Sequence, residues 1–287
     1  MASVDRELRD TIPSFERHEG AGETVDISNW SGVTSTLGLI RSGAEWAAVL
    51  LVAVIIIGGS ELLLRWFNVP PYIMPTPSLI AVALVTNFPL IAPHIGYTLV
   101  ELVCGFAIGA SVGFVLAALV TQFPFVEKII APYILLLVTT PMLALVPLLI
   151  LKLGFGYSPR IIAVALASGP MVMINSATGF RRTDLAKIAL ARSFGASTLQ
   201  IFLKIRIPMA MPMVIVGLMV GSIFGLLTAV GAEMVGGSFG LGNRLTYYSS
   251  LIQMPQFFAC IVVLAAMGIS IYVLFYWLGK RWAGWEA

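Results

Sequence analysis

Few side chains in this sequence could do chemistry, and the strongest group is a basic island between apolar stretches. Arg181-Arg182-Thr183-Asp184 opens it, Arg192-Ser193-Phe194-Gly195-Ala196-Ser197 forms its middle, and Ile205-Arg206-Ile207-Pro208 closes it. Six of the seventeen Lys and Arg residues fall there. The spacing predicts two short helices broken at Gly195. Thr183 or Asp184 can cap the first, and Gly195 suits the left-handed residue that ends it. Ser197 and Gln200 stand three apart, as a capping box requires, and restart a helix. Leu185, Ile188 and Ala189 give the first helix an apolar face, and Ile201, Phe202 and Ile205 the second. The chemistry this implies is docking: an amphipathic hairpin on the basic side of a membrane protein offers a surface to a soluble partner.

The remaining candidates sit inside apolar runs. Pro132, Pro141 and Pro147 interrupt one run, and each removes a helical hydrogen bond. Thr139 and Thr140 precede Pro141 and Met142 follows it, so a kinked helix there could form a pore wall. Met171, Asn175 and Thr228 are expected to line the same pathway, with Glu233 at its external mouth. Ser168 lies about one turn from Met171. Glu101 and Glu233 need partners, since a buried carboxylate is costly, and Arg160, Lys152 and Arg244 lie on the same side. His18 and His94 fall outside the expected membrane core, so no proton relay is visible. No Gly-x-x-x-x-Gly-Lys-Ser/Thr loop, metal-ligand cluster or nucleophile–base pair is present. Cys104 and Cys260 read as small buried hydrophobes. The chain is therefore expected to hold no cofactor, to carry no ATP site, to catalyse nothing itself and to bind no nucleic acid.

These residues must be positioned by membrane helices. Hydrophobic residues make up 59% of the 287 and charged residues only 11%, about half the charge of a soluble chain. About twenty apolar residues cross a bilayer. Spans are expected near 44–64, 93–121, 129–151, 160–180, 208–232 and 258–279, an all-α polytopic fold with one transmembrane domain over 44–283. The hairpin occupies 181–207, and residues 1–43 form a polar cytoplasmic tail. With the N-terminus inside, thirteen Lys and Arg residues face the cytoplasm and four face outward, as the positive-inside rule asks. That places the hairpin and both termini in the cytoplasm. Residues 66–92 carry five prolines and read as an external loop with a short helix after Pro77. Residues 233–257 read as a re-entrant or irregular segment shielded by protein. Gly105, Gly109 and Gly113, and again Gly217, Gly221 and Gly225, form stripes that let a neighbouring backbone come close.

The island resembles the cytoplasmic signature of ABC-importer permeases: Glu-Ala-Ala, three residues, Gly, nine residues, Ile-x-Leu-Pro. Ala189-Leu190-Ala191, Gly195 and Ile205-Arg206-Ile207-Pro208 keep this spacing, with Ala189 in place of the glutamate and Ile207 in place of the leucine. Asn68-Val69-Pro70-Pro71, Val146-Pro147-Leu148-Leu149-Ile150 and Gly231-Ala232-Glu233-Met234-Val235-Gly236 resemble the nitrate/sulfonate/taurine/bicarbonate branch. The resemblance implies a type I importer in the bacterial inner membrane. Two permease chains, identical in a homodimer or paired with a similar chain, would form the pathway in the lipid bilayer. Two ABC ATPase subunits would bind ATP and magnesium, and a periplasmic or lipid-anchored solute-binding protein would deliver a small solute, by this resemblance an anion. Asp184, Leu185, Ile188, Ala189, Arg192, Gly195 and Ala196 would couple to the ATPase. A self-sufficient carrier or channel is the alternative, in which the hairpin has no role.

Overall fold

A computed structural model describes residues 43–282, so the expected N-terminal tail lies outside the described residues. Those residues form ten α-helices and one π-helical turn, with no strand among them. Five helices are long and apolar enough to cross a membrane, or six if one sharply bent pair counts as a span.

Helix α1 (Gly43–Trp66) is apolar almost throughout. Near its end Glu61 pairs with Arg65 at 2.6 Å and accepts hydrogen bonds from the Ser78 amide at 3.0 Å and hydroxyl at 2.7 Å. These contacts tie α1 to the start of α2 (Pro77–Gln122). The expected external loop over 66–92 is thus corrected. Only the stretch before Pro77 is a loop, and the helix that starts there continues for 46 residues. Pro77 fits the first turn, where its missing N–H costs nothing. Pro89 and Pro93 lie inside α2 without ending it. They are four apart, so both missing bonds fall on one side of the helix, while buried Ile91 and His94 hold the segment in place.

The expected span over 129–151 is also corrected. It is two helices, α3 (Pro124–Thr139) and α4 (Met142–Leu153), meeting at 95°. Pro141 offers no N–H to continue the ladder and drives Thr140 to an extended backbone with ψ 124. The other two interior prolines, Pro132 and Pro147, are carried within α3 and α4.

Helix α5 (Tyr157–Arg181) is the hub. Both glycine stripes press on it. A Cβ at Gly105 would stand 2.6 Å from Val164 Cβ, and one at Gly113 would run into the Gly169 carbonyl. A Cβ at Gly217 would meet Asn175, and one at Gly221 would meet Val172. The small residues Ala165, Ser168 and Gly169 on α5 complete these contacts.

Helices α6 (Leu185–Ser193) and α7 (Thr198–Ile201) form the hairpin, and a π-turn over Phe202–Arg206 joins α7 to α8 (Ile207–Gly236). Pro208 cannot donate to the preceding turn, and the ladder there widens so that the Ile207 amide bonds the Phe202 carbonyl. Within the stretch expected to be re-entrant or irregular, α8 runs on to Gly236 and, after a short loop, helix α9 (Leu241–Ser250) follows. Its Leu241, Leu245 and Tyr248 are buried with Ile91 of α2 and with Ala259, Cys260 and Val263 of α10 (Met254–Trp282). Cys104 is exposed rather than buried, because α2 turns that face away from α5, whereas Cys260 is in the core.

Candidate translocation cavity and coupling hairpin

The hairpin is built by local capping. Asp184 accepts a hydrogen bond from the Ala186 amide at 2.8 Å. At the far end of α6 the Ala196 amide bonds the Ala191 carbonyl at 3.0 Å and the Gly195 amide bonds that of Arg192 at 2.9 Å. With Gly195 at φ +79 this is a Schellman stop. Ser197 and Gln200 then close both bonds of a capping box, at 2.8 and 3.3 Å. Ile188 and Ile201 are the buried apolar residues of the hairpin. Leu185, Leu190, Phe194 and Leu199 are exposed, Phe194 at 83%. Around them Arg182, Lys187, Arg192 and Lys204 are exposed. Exposed leucine and phenylalanine set among cations are the composition of an interaction surface. Ala189 is exposed and Ala196 half-buried beside this tip. Leu190, Phe194 and Leu199 were not singled out in the sequence, although apolar residues inside a basic segment were the available signal.

A second feature lies where α3 breaks into α4. A cavity of about 350 Å³ is lined by Leu137, Thr140, Met142, Met171, Phe224 and Thr228, among others. It gathers four of the expected pathway residues: Thr140 and Met142 from the break, Met171 from α5 and Thr228 from α8. Three others fall elsewhere. Thr139 is exposed and bonds the Leu135 carbonyl at 2.8 Å. Asn175 donates to the Met171 carbonyl at 2.8 Å and packs against the Gly217 stripe. Glu233 is wholly buried in a different cluster. The cavity's side chains carry no charge.

That cluster binds α9 and the chain before it onto α2, α5 and α8. Arg160 meets Glu101 at 2.6 Å, with both side chains buried. Its guanidinium also donates to the carbonyls of Gly236 and Phe239, at 3.3 and 3.4 Å, and lies over the Phe239 ring at 4.4 Å. Glu233 accepts from the Thr98 hydroxyl at 2.7 Å and the Gly242 amide at 2.6 Å. The Leu241 amide donates to Thr98 at 3.0 Å, and the Gly240 amide to His94 at 3.0 Å. Every glycine-loop amide so named ends on a buried side chain, so the cluster is a clamp and Glu233 belongs to it, not to the cavity. Thr98 and His94 were not anticipated as parts of it.

The described residues thus form a helical bundle with a capped hairpin and an interrupted helix beside a cavity. Residues 105–284 match the binding-protein-dependent transport system inner membrane components. The chain belongs to that family. The permease is 30% identical over 238 residues to a Haemophilus influenzae protein named as an ABC transporter permease, covering 81% of this chain and 96% of the relative. It is 28% identical over 253 residues to a Bacillus subtilis protein named for aliphatic sulfonates transport, covering 87% and 90%. Its fold is similar to a chain in the crystal structure of an amino acid ABC transporter, with TM-score 0.57, 20% identity, and coverage of 70% of this chain and 97% of that one. It is the permease subunit of an ABC importer, an inner membrane component whose family works with a separate ATPase and a solute-binding protein.

Proposed function

We propose that two copies of this permease form the pathway for a small anion, moved from periplasm to cytoplasm by alternating access. ATP and magnesium are held by the partner ATPase, which docks on α6 and α7 from the cytoplasm, the compartment of both chain termini. The solute passes the cavity at the α3–α4 break. The observation that carries this reading is the hairpin: five capping hydrogen bonds fix its shape while Leu185, Leu190, Phe194 and Leu199 stand uncovered at its surface. A rigid knob with an apolar tip transmits displacement, which is how two sites bias one two-state bundle.

The test is a tagged pull-down from gently solubilised native membranes. A Walker-motif ATPase should be recovered with the wild-type chain and lost with Gly195→Asp. A well-expressed Gly195→Asp chain that keeps the ATPase and full uptake would end the docking claim. A homo-oligomer with no ATPase would move the reading to a self-sufficient carrier or channel.

A further inference from the structure

We propose that His94 is a pH-sensitive latch on the glycine loop before α9: its neutral ring holds the loop, and its protonated ring releases it. His94 stands on α2 and is buried, with a donor aimed at each ring nitrogen. The Gly240 amide points at Nδ1 from 3.0 Å, and Arg244 Nε points at Nε2 from 2.8 Å. Neither group can accept in return, because a backbone N–H and a guanidinium are donors only. A neutral imidazole has one N–H and one acceptor nitrogen, so it serves one of the two donors at a time. The imidazolium has no acceptor, and it sets a second cation against Arg244. Protonation therefore removes both holds in one step.

The loop has little freedom to find another partner. Gly240 is buried at φ +99, and a Cβ there would run into the Glu233 carboxyl. Other grips survive protonation of His94. The Leu241 amide stays on Thr98 and the Gly242 amide on Glu233. The Phe239 ring stays against Tyr97 and Tyr157, at 5.0 and 4.8 Å. The response is thus a local loosening of Gly240–Arg244, not an unfolding of the clamp.

Other titratable groups surround the ring. On α2, Tyr97 meets it edge-on at 5.8 Å, and Glu101 lies about two turns further along. From α5 come Tyr157 and Arg160, the latter paired with Glu101. Glu233 comes from α8, Arg244 and Tyr248 from α9, and Cys260 from α10. Among the described residues Arg244 is the charged group that touches the ring. Glu233 is the rival switch, since it accepts the Gly242 amide and also takes up protons. In the orientation proposed above the clamp lies on the external side, where pH follows the medium. Histidine is the side chain suited to reading it.

The test is hydrogen–deuterium exchange by mass spectrometry on the full chain in lipid nanodiscs. Labelling times are scaled for the intrinsic pH dependence of amide exchange. Peptides over Gly240–Arg244 should lose protection about tenfold between about pH 8 and about pH 5, the scale of one hydrogen bond over the range in which histidine changes charge. Peptides from the buried middle of α5 should not change. In His94→Asn the side-chain oxygen takes the place of Nδ1 and does not titrate, so the loss in acid should vanish while protection at high pH stays near wild type. His94→Gln carries the test if His94→Asn fails to fold, and its protection should likewise be flat with pH. Arg244→Met leaves the ring to Gly240 alone, so protection at high pH should rise while the loss in acid persists. A loss in acid that survives in His94→Asn or His94→Gln assigns the switch to Glu233 and overturns the latch. Wild-type protection that is flat with pH overturns it as well. Lower protection at high pH in Arg244→Met overturns the competition of two donors for one nitrogen.

Discussion

Single residues decide two of the features. Among the described residues Arg160 is the one cation paired with Glu101, and it also serves two loop carbonyls. Removing one partner of such a pair strands a buried charge, which costs about 3–5 kcal/mol. Arg160→Met should therefore lower the thermal midpoint of the purified protein sharply, and the double variant Arg160→Met with Glu101→Leu should recover part of the loss. A double variant no better than the single one would mean that the guanidinium matters through Gly236 and Phe239 alone. Gly195 is a different case. Nothing lies within 4 Å of a Cβ built there, so only its φ of +79 resists substitution. Gly195→Ala should cost about 1–2 kcal/mol in the hairpin, and Gly195→Asn less, because asparagine tolerates the left-handed region. Peptide-amide exchange at Gly195 and Ala196 should follow that order.

At the scale of elements, what the sequence made legible was what neighbours in the chain decide. Asp184, Gly195, Ser197 and Gln200 act within three residues of their partners, and the hairpin follows from them. Thr140 and Met142 were legible because Pro141 stands between them. The long α2 was not. Pro89 and Pro93 signal an interruption locally, while the contacts that keep the helix intact come from distant residues, as in the core shared by Ile91, Leu245 and Cys260. For the same reason Thr98 and His94 could not be tied to Glu233 and Gly240, which lie more than a hundred residues away. The glycine stripes were legible as stripes, but only the fold shows that both converge on α5. Gly113→Leu should then be worse than an ordinary overpacking change, at about 3 kcal/mol or more, since its side chain would meet the Gly169 backbone, which cannot rotate away. The measurement is folded yield and melting temperature in detergent. Gly58→Leu, with nothing within 4 Å, is the matched control that should cost little.

At the scale of the molecule, the two polar features lie at opposite ends of α5. Arg160 in the clamp is near its start, and Arg181, paired with Glu127 at 2.8 Å, is its last residue before the hairpin. A helix of 25 residues is about 37 Å long, slightly more than the hydrocarbon core. The clamp and the hairpin should therefore face opposite sides of the membrane, and the Lys and Arg bias assigns the hairpin to the cytoplasm. Single cysteines introduced as Phe194→Cys and Ser238→Cys, in a chain with Cys104→Ala and Cys260→Ala, separate the sides, since both positions are exposed. A membrane-impermeant maleimide should label Phe194→Cys only in inside-out vesicles and Ser238→Cys only in right-side-out ones. Labelling of both from one side would break the topology, and with it the route by which an ATPase could reach the hairpin. Phe194→Cys carries a further consequence, because the tip of α6 is the expected contact. Its labelling should slow severalfold when the ATPase is bound, while Ser238→Cys is unaffected by occupancy of that dock. Equal rates at Phe194→Cys with and without bound ATPase would place the coupling contact elsewhere on the cytoplasmic face.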